Sequence, residues 1–279
     1  MIVHLIDGTY ELFRHFYGLR RAKSGKVPRF GAVAGVLNTV LQMIADGATH
    51  VGVATDHVIE SFRNDLWEGY KTGAGIEPAL LAQFVPLEDA LRAMGVALWA
   101  MVDLEADDAL ASAAEIASRD TRVQKICIWT PDKDLSQCVR ADRIVQVDRR
   151  SNTIRDAAGV RLKFGVDPDL IPDYLALVGD SADGYPGVRG IGAKGAQSLL
   201  SLYGKIEDFP PEVLGEHRAL ALVFKQLATL RTDAMLFQNV DELQWHGPTA
   251  DFASLCEHLE MTDVYTRAAR TAERTPRMR

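Results

Sequence analysis

The chain has 279 residues, 47% hydrophobic and 25% charged, with a formal net charge of −7. That length allows one large domain or two smaller ones, and the composition is ordinary for a soluble globular protein. It excludes a membrane protein of helical type, because no apolar run reaches the roughly 18 residues of a spanning helix.

The first segment, Met1 to Ile6, reads as a strand and is too short for a signal peptide before Asp7 interrupts it. A cytoplasmic location is therefore expected. A helix follows over 10–17, and a longer one over 30–45 carries Val33, Val36, Leu37, Val40, Leu41 and Ile44 on one face. Residues 50–55 read as a buried strand. Residues 60–76, with Gly69, Gly73 and Gly75, read as a mobile, partly helical excursion. A helix over 78–94 and a strand over 96–101 come next, then a helix over 106–118 and strands over 123–130 and 143–147. Strands alternating with helices predict right-handed crossovers and a mostly parallel sheet. From about residue 167 the pattern turns helical, with helices expected over 167–178, 193–203, 219–230 and 252–259, and a basic tail from Arg267 that frays. Two parts follow: an α/β domain over 1–166 and a helical part over 167–279. Cys127, Cys138 and Cys256 fit no zinc spacing and read as free thiols.

Nine carboxylates stand where strands end or helices begin: Asp7, Asp56, Glu105, Asp107, Asp108, Asp132, Asp134, Asp180 and Asp183. Strand ends in a parallel sheet gather along one edge, where ligands collect. Carboxylates brought together repel one another and resist desolvation, so cations are expected among them. Hard oxygen ligands suit Mg²⁺ or Mn²⁺, and a pair of such ions is suited to phosphodiester hydrolysis. One or two of these acids could serve only as a cap or a turn, but three in the four residues from Glu105 to Asp108 exceed what a cap needs. The helical spacing sets Glu105 and Asp108 on one side with Asp107 turned away. Asp132 and Asp134 point the same way if the backbone stays extended, with Lys133 facing elsewhere. Asp7-Gly8-Thr9 lacks the Asp two residues earlier that a phosphatase nucleophile requires, since that position is Leu5.

Gly190-Ile191-Gly192-Ala193-Lys194-Gly195 has the spacing of a dinucleotide loop but follows a helix rather than a strand. A helix, a glycine hairpin and a second helix instead suit non-sequence-specific contact with duplex phosphates through Arg189, Gly190, Ile191, Gly192 and Lys194. Without the nine acids the rest of the chain is slightly basic. Arg14, Arg20, Arg21, Lys23, Lys26 and Arg29 form one basic stretch, and Arg140, Arg143, Arg149, Arg150, Arg155, Arg161 and Lys163 a second. Phe13 and Arg14, just past Asp7, could stack on a terminal base and hold its phosphate.

Taken together these motifs resemble the 5′-nuclease superfamily, the flap endonucleases and the 5′→3′ exonuclease domain of bacterial DNA polymerase I. The resemblance rests on Ile6-Asp7-Gly8 with Phe13-Arg14, Thr55-Asp56, Ser61-Phe62-Arg63 with Gly69-Tyr70-Lys71, Glu105 to Asp108, Thr130 to Leu135, Gly179-Asp180 through Gly192, and Leu230 to Asp233. It implies a PIN-like α/β domain followed by a helix–two-turn–helix DNA-binding part. It implies Asp7, Asp56, Glu105, Asp107, Asp132, Asp134 and Asp183 as metal ligands, with Asp108 and Asp180 as acids that stand behind them. It also implies Arg63 and Lys71 in an arch that offsets charge on the phosphate, and a K⁺ ion at the hairpin. The expected activity is structure-specific hydrolysis of DNA at 5′ ends or 5′ flaps, including RNA–DNA junctions, by a monomer. The alternatives are a PIN-type ribonuclease and a non-catalytic protein that binds branched DNA. Ala74, Gly184 and Phe13 replace an Arg, an Asn and a Tyr usual in the family.

Overall fold

The computed structural model describes residues 1–21 and 28–274, without the side chains of Arg20 and Arg21. Lys23, Lys26 and the end of the basic tail lie outside the described residues.

Six strands form one sheet in the order β3-β2-β1-β4-β5-β6. They are β1 (Ile2–Asp7), β2 (His50–Asp56), β3 (Ala97–Met101), β4 (Lys125–Trp129), β5 (Ile144–Asp148) and β6 (Thr153–Arg155). The first five run parallel, and β6 pairs antiparallel with β5. This is a mostly parallel α/β sheet, as the alternating pattern predicts. The hairpin strand β6 is too short to show a period, and it was not expected.

The helices are α1 (Gly8–Arg21), α2 (Gly31–Ala45), α3 (Arg63–Leu66), α4 (Pro78–Leu81), α5 (Phe84–Ala93), α6 (Ala106–Ser118) and α7 (Ala157–Phe164) in the first half. α8 (Ile171–Val178), α9 (Ala193–Tyr203), α10 (Pro211–Leu214), α11 (Arg218–Ala228), α12 (Phe252–His258) and α13 (Thr262–Arg274) complete the set.

Side-chain alternation divides the sheet into two packed faces. Ile6, Val51 and Val53 face α1, α2 and α5. Val3, Leu5, Ala54, Ile126, Ile128 and Ile144 face α6. A separate core joins α7, α8, α9 and α11, with Tyr70 inserted from the 60–76 segment.

Four expectations differ from the structure. The helix expected over 78–94 is two helices, because Pro86 has no N–H to donate to Ala82 and is tolerated only in a first turn. Helix α7 was not expected, although Asp156 caps it by accepting from Gly159 N at 2.8 Å.

The 60–76 segment is tied down rather than free. Tyr70 is 3% exposed, Lys71 N donates to the Asp183 carbonyl at 2.9 Å, and the Trp67 indole donates to the Gly184 carbonyl at 3.1 Å. Gly184 permits this approach: its φ is +85° and a Cβ there would lie 2.0 Å from the Gly69 carbonyl oxygen.

Finally, the last residues do not extend the helical part. The chain returns after α11 to the sheet, laying Leu230, Val240 and Leu243 over the α6 face. Phe252, Val264 and Ala268 then pack on the α2 face. Helix α13 is ordered to Arg274, and Arg267 donates to Asn38 Oδ1 at 2.9 Å.

Candidate metal centre

Strand order reverses beside β1, between neighbours β2 and β4, which opens a crevice at the carboxyl ends of the strands. Asp7 continues the phase of Val3 and Leu5, and Asp56 that of Ala54, so both point toward the α6 face. The end of α6 that meets them is its N-terminus, which favours negative charge. Asp56 Oδ1 accepts from Ala106 N at 2.8 Å. Asp7 serves as cap to α1, accepting from Tyr10 N at 2.8 Å, and takes a second bond from Thr130 Oγ1 at 3.0 Å. Gly8 lets α1 leave the sheet beside β2, since a Cβ there would meet the Ala54 carbonyl at 2.9 Å.

Glu105 precedes α6 and is nearly enclosed. It meets Lys71 Nζ at 2.8 Å, Ser61 Oγ at 2.7 Å and Arg63 Nη1 at 3.3 Å. Asp107, in the first turn of α6, is half-buried.

Asp132 and Asp134 do not lie on extended backbone. A 3₁₀ turn starts at Asp134, and Lys133 has helical dihedrals of −70° and −29°. Asp132 Oδ1 accepts from Asp134 N at 3.0 Å, so Asp132 stays exposed while Asp134 turns inward to 5% exposure. Lys133 reaches Asp180 at 2.7 Å, and Lys71 reaches Asp183 at 3.0 Å.

Two expected site residues have other partners. Asp108 is fully buried, and both its oxygens are committed. They accept from Arg63 Nη1 and Nη2 at 2.7 Å each, from Glu105 N at 3.0 Å and from Arg231 N at 2.8 Å. It has no lone pair directed at a metal. Arg63 is 1% exposed and spends its Nε on the Leu227 carbonyl at 2.8 Å. The expected contact of Arg63 with a phosphate is therefore not available from this position. Arg63 acts as the counter-ion of Asp108 and steadies the start of α6.

Among the described residues, Lys71, Arg63 and Lys133 are the basic side chains paired within the acid cluster. Three cations do not balance nine carboxylates, and the imbalance is uneven. Burial, then the charges of Asp56 and Asp132, raises Asp7 from 3.8 to about 7. Burial and the neighbouring carboxylates hold Asp107 and Asp134 well above the ordinary range, and raise Asp56 and Asp183. Burial also acts on Glu105, but Lys71 and Arg63 outweigh it and hold that group low.

The cluster fits a hard divalent cation. Asp134 Oδ1 is buried without a hydrogen-bond partner. Oxygens of Asp134, Asp180 and Asp183 lie within 4.8 Å of one another. Within that trio Lys133 pairs with Asp180 and Lys71 with Asp183, so the cluster carboxylates without a basic partner are Asp7, Asp56, Asp107, Asp132 and Asp134.

This charge imbalance has a measurable consequence. A carboxylate held protonated in the fold retains a proton that the unfolded chain releases near pH 4. Metal-free protein is stabilised at low pH, and that stability is lost as the pH rises through the folded value of about 7 for Asp7. In chelator, the melting temperature should fall by about 5 °C or more between roughly pH 5 and pH 8, and Mg²⁺ should flatten the slope. A metal-free melting temperature that rises over this range would contradict the assignment.

The expected nucleic-acid residues lie on α1 and around the start of α9. Arg189, Gly190 and Gly192 are exposed in the turn before α9 and Lys194 is exposed in its first turn, Ile191 is half-buried, and Gly190 has a φ of +84°. Phe13 packs edge-on to Phe84 with ring centres 6.2 Å apart. Arg14 is paired with Glu11. The second basic stretch is largely used within the fold. Arg140 binds Glu115, Arg143 binds backbone carbonyls and Arg161 binds Asp167. Ser61 and Thr130 stand in the sequence motifs without an expected role, and their hydroxyls orient Glu105 and Asp7. A polar residue closing an apolar strand was the available signal for Thr130.

A resolvase-like α/β domain followed by a helical domain defines the class. The structure of T5 5′-exonuclease with bound divalent zinc ions has this fold, with a TM-score of 0.65 and 19% identity over 98% of both chains. The catalytic core of Rad2 in complex with a DNA substrate aligns with a TM-score of 0.60 and 13% identity, over 95% of this chain and 91% of that one. Residues 2–165 match the family described as 5′-3′ exonuclease, N-terminal resolvase-like domain, and residues 166–251 match its C-terminal SAM fold. The chain belongs to the 5′-3′ exonuclease family. It is 34% identical to DNA polymerase I of Pseudomonas aeruginosa over 86% of its own length, but spans only 28% of that protein. It is 31% identical to a 5′-3′ exonuclease of Buchnera aphidicola, covering 82% of this chain and 81% of the relative.

Proposed function

We propose that the chain is a divalent-metal-dependent 5′ nuclease that hydrolyses DNA phosphodiesters according to structure rather than sequence. The observation that carries this reading is the buried, unpartnered Asp134 oxygen within an undercompensated acid cluster at the sheet's switch point. Asp7, Asp56, Asp107, Asp132 and Asp134 would hold Mg²⁺ or Mn²⁺, with Glu105, Asp180 and Asp183 extending the set toward a second ion. The bound ions supply charge neutralisation and acidify water.

The chain's own residues do the rest. The hairpin amides and Lys194 grip duplex phosphates, and the Gly190–Gly192 turn would hold K⁺, which would supply positive charge beside the phosphate. Phe13, half-buried on α1, offers a ring on which a terminal base can stack. Lys71 stands between Glu105 and Asp183, where it can turn from carboxylate to phosphate and offset developing negative charge. Asp108, locked by Arg63, fixes the helix start that presents Asp107. A water oxygen bonds to the scissile phosphorus as the bond to the 3′ oxygen breaks, and the departing oxygen takes up a proton from water, leaving a 5′ phosphate and a 3′ hydroxyl. Substrates are 5′ ends and 5′ flaps, including RNA–DNA junctions. The protein works as a monomer in the cytoplasm; no helix among its described residues is long and apolar enough to cross a membrane.

The test is a labelled 5′ flap duplex and a matching single-stranded RNA, each incubated with Mg²⁺, Mn²⁺ or EDTA. Metal-dependent cleavage of the flap near its junction is expected. RNA cleaved as readily as the flap, DNA bound but uncut, or cleavage that persists in EDTA would each overturn the reading.

A further inference from the structure

Gln146 sits in the middle of β5 with Val145 and Val147 on either side and is 1% exposed. It occupies the phase of Ile144, which packs in the α6-side core. Burying an amide costs several kcal/mol unless its bonds are replaced, and an aliphatic residue would suit this strand position better. Every side-chain hydrogen bond that Gln146 makes leads to the turn carrying Asp132 and Asp134, or to β6. Its Nε2 donates to the Asp132 carbonyl. Its Oε1 accepts from Ser136 Oγ at 3.0 Å and from Arg155 Nη1 at 2.5 Å. Ser136 is fully buried in the same 3₁₀ turn that starts at Asp134. Arg155 is the cross-strand partner of Gln146.

We propose that Gln146 is a positioning residue: its amide clamps the Asp132–Ser136 turn so that the Asp132 and Asp134 carboxylates are held ready for a divalent cation. The inference rests on the metal-dependent reading of the site. Asp132 alone cannot fix itself, because its carboxylate is exposed and its side chain already accepts from Asp134 N. Gln146 holds the same residue from the main-chain side and ties it to a central strand. Ser136 and Arg155 fix the amide orientation, because only its oxygen can accept from both, which leaves the nitrogen to face the Asp132 carbonyl.

Two variants of the full chain test this. Gln146→Leu removes the clamp and keeps the volume. Gln146→Glu keeps the acceptor for Ser136 and Arg155 but sets an oxygen against the Asp132 carbonyl. Mn²⁺ binding is read by titration of the DNA-free protein, alongside kcat, KM for the flap substrate and melting in chelator. The expected result for both is about tenfold or greater weakening of Mn²⁺ affinity and a similar loss in kcat, with KM little changed. Wild-type Mn²⁺ affinity in either folded variant would overturn the proposal, as would a parallel change in KM and kcat that tracks melting temperature alone. Because Mn²⁺ binding is measured without DNA, a wild-type protein that binds the ion but leaves flaps intact refutes the nuclease reading and not the clamp.

Discussion

Asp134→Asn should abolish flap cleavage, lowering kcat by about 10³-fold or more, while leaving duplex binding close to that of the parent. The carboxylate is 5% exposed, and its Oδ1 meets no hydrogen-bond donor of the protein. Burial, together with the charges on Asp132, Asp183 and Asp180, raises its pKa well above the ordinary value. Above about pH 4 the unfolded chain ionises this group while the metal-free fold resists doing so, which costs stability, so a neutral amide should raise the melting temperature in chelator. The same substitution should lower the stabilisation that Mg²⁺ provides, since a neutral amide is a poorer ligand. A purely structural aspartate would behave in the opposite way, with a lower melting temperature and cleavage reduced only in proportion. Paired melting curves with and without Mg²⁺, alongside a single-turnover cleavage rate, separate the two. Asp132→Asn should share the loss of cleavage.

Arg63→Met should be among the most destabilising single changes in the chain. The guanidinium makes two 2.7 Å bonds to a fully buried Asp108 and reaches the Leu227 carbonyl as well. Removing it strands an uncompensated carboxylate, which typically costs about 3–5 kcal/mol. In a chain of this size that corresponds to a drop in melting temperature of roughly 10 °C. The loss reflects the stranded charge more than the lost pair, so adding Asp108→Leu should recover much of it. A melting temperature for Arg63→Met within about 2 °C of the parent would show that the pair carries no such weight. Activity should fall as well, through the displaced start of α6 rather than through a lost phosphate contact.

The contrast between Arg63 and Lys71 shows what a linear sequence reveals and what it hides. Both are basic and lie in the 60–76 segment, and both suggest a phosphate contact. Only the fold distinguishes them, because Arg63 reaches inward through α3 to Asp108 and Lys71 lies at the crevice on Glu105 and Asp183. The parallel sheet was legible because strand and helix periods alternate cleanly up to Val147. The convergence of Asp7 and Asp56 was legible because both close strands. The turn at Lys133 was not, since two acids at i and i+2 are compatible with extended or helical backbone. Asp108 looked like a ligand because acidity marks a position without marking its partner, and that partner lies 45 residues away. The return of the chain over the sheet after α11 depends on contacts between distant segments, which local periodicity does not encode. Gln146 gave no signal at all: one amide within Ile144 to Val147 has no pattern to break.

Anomalous scattering from crystals of the protein grown with Mn²⁺ would locate the divalent ions that these carboxylates hold at the end of β1. Anomalous density is expected among the oxygens of Asp7, Asp56, Asp107, Asp132 and Asp134, and it should be lost in Asp134→Asn crystals. Crystals of active protein with Mn²⁺ bound elsewhere, and none among those side chains, would overturn the metal assignment.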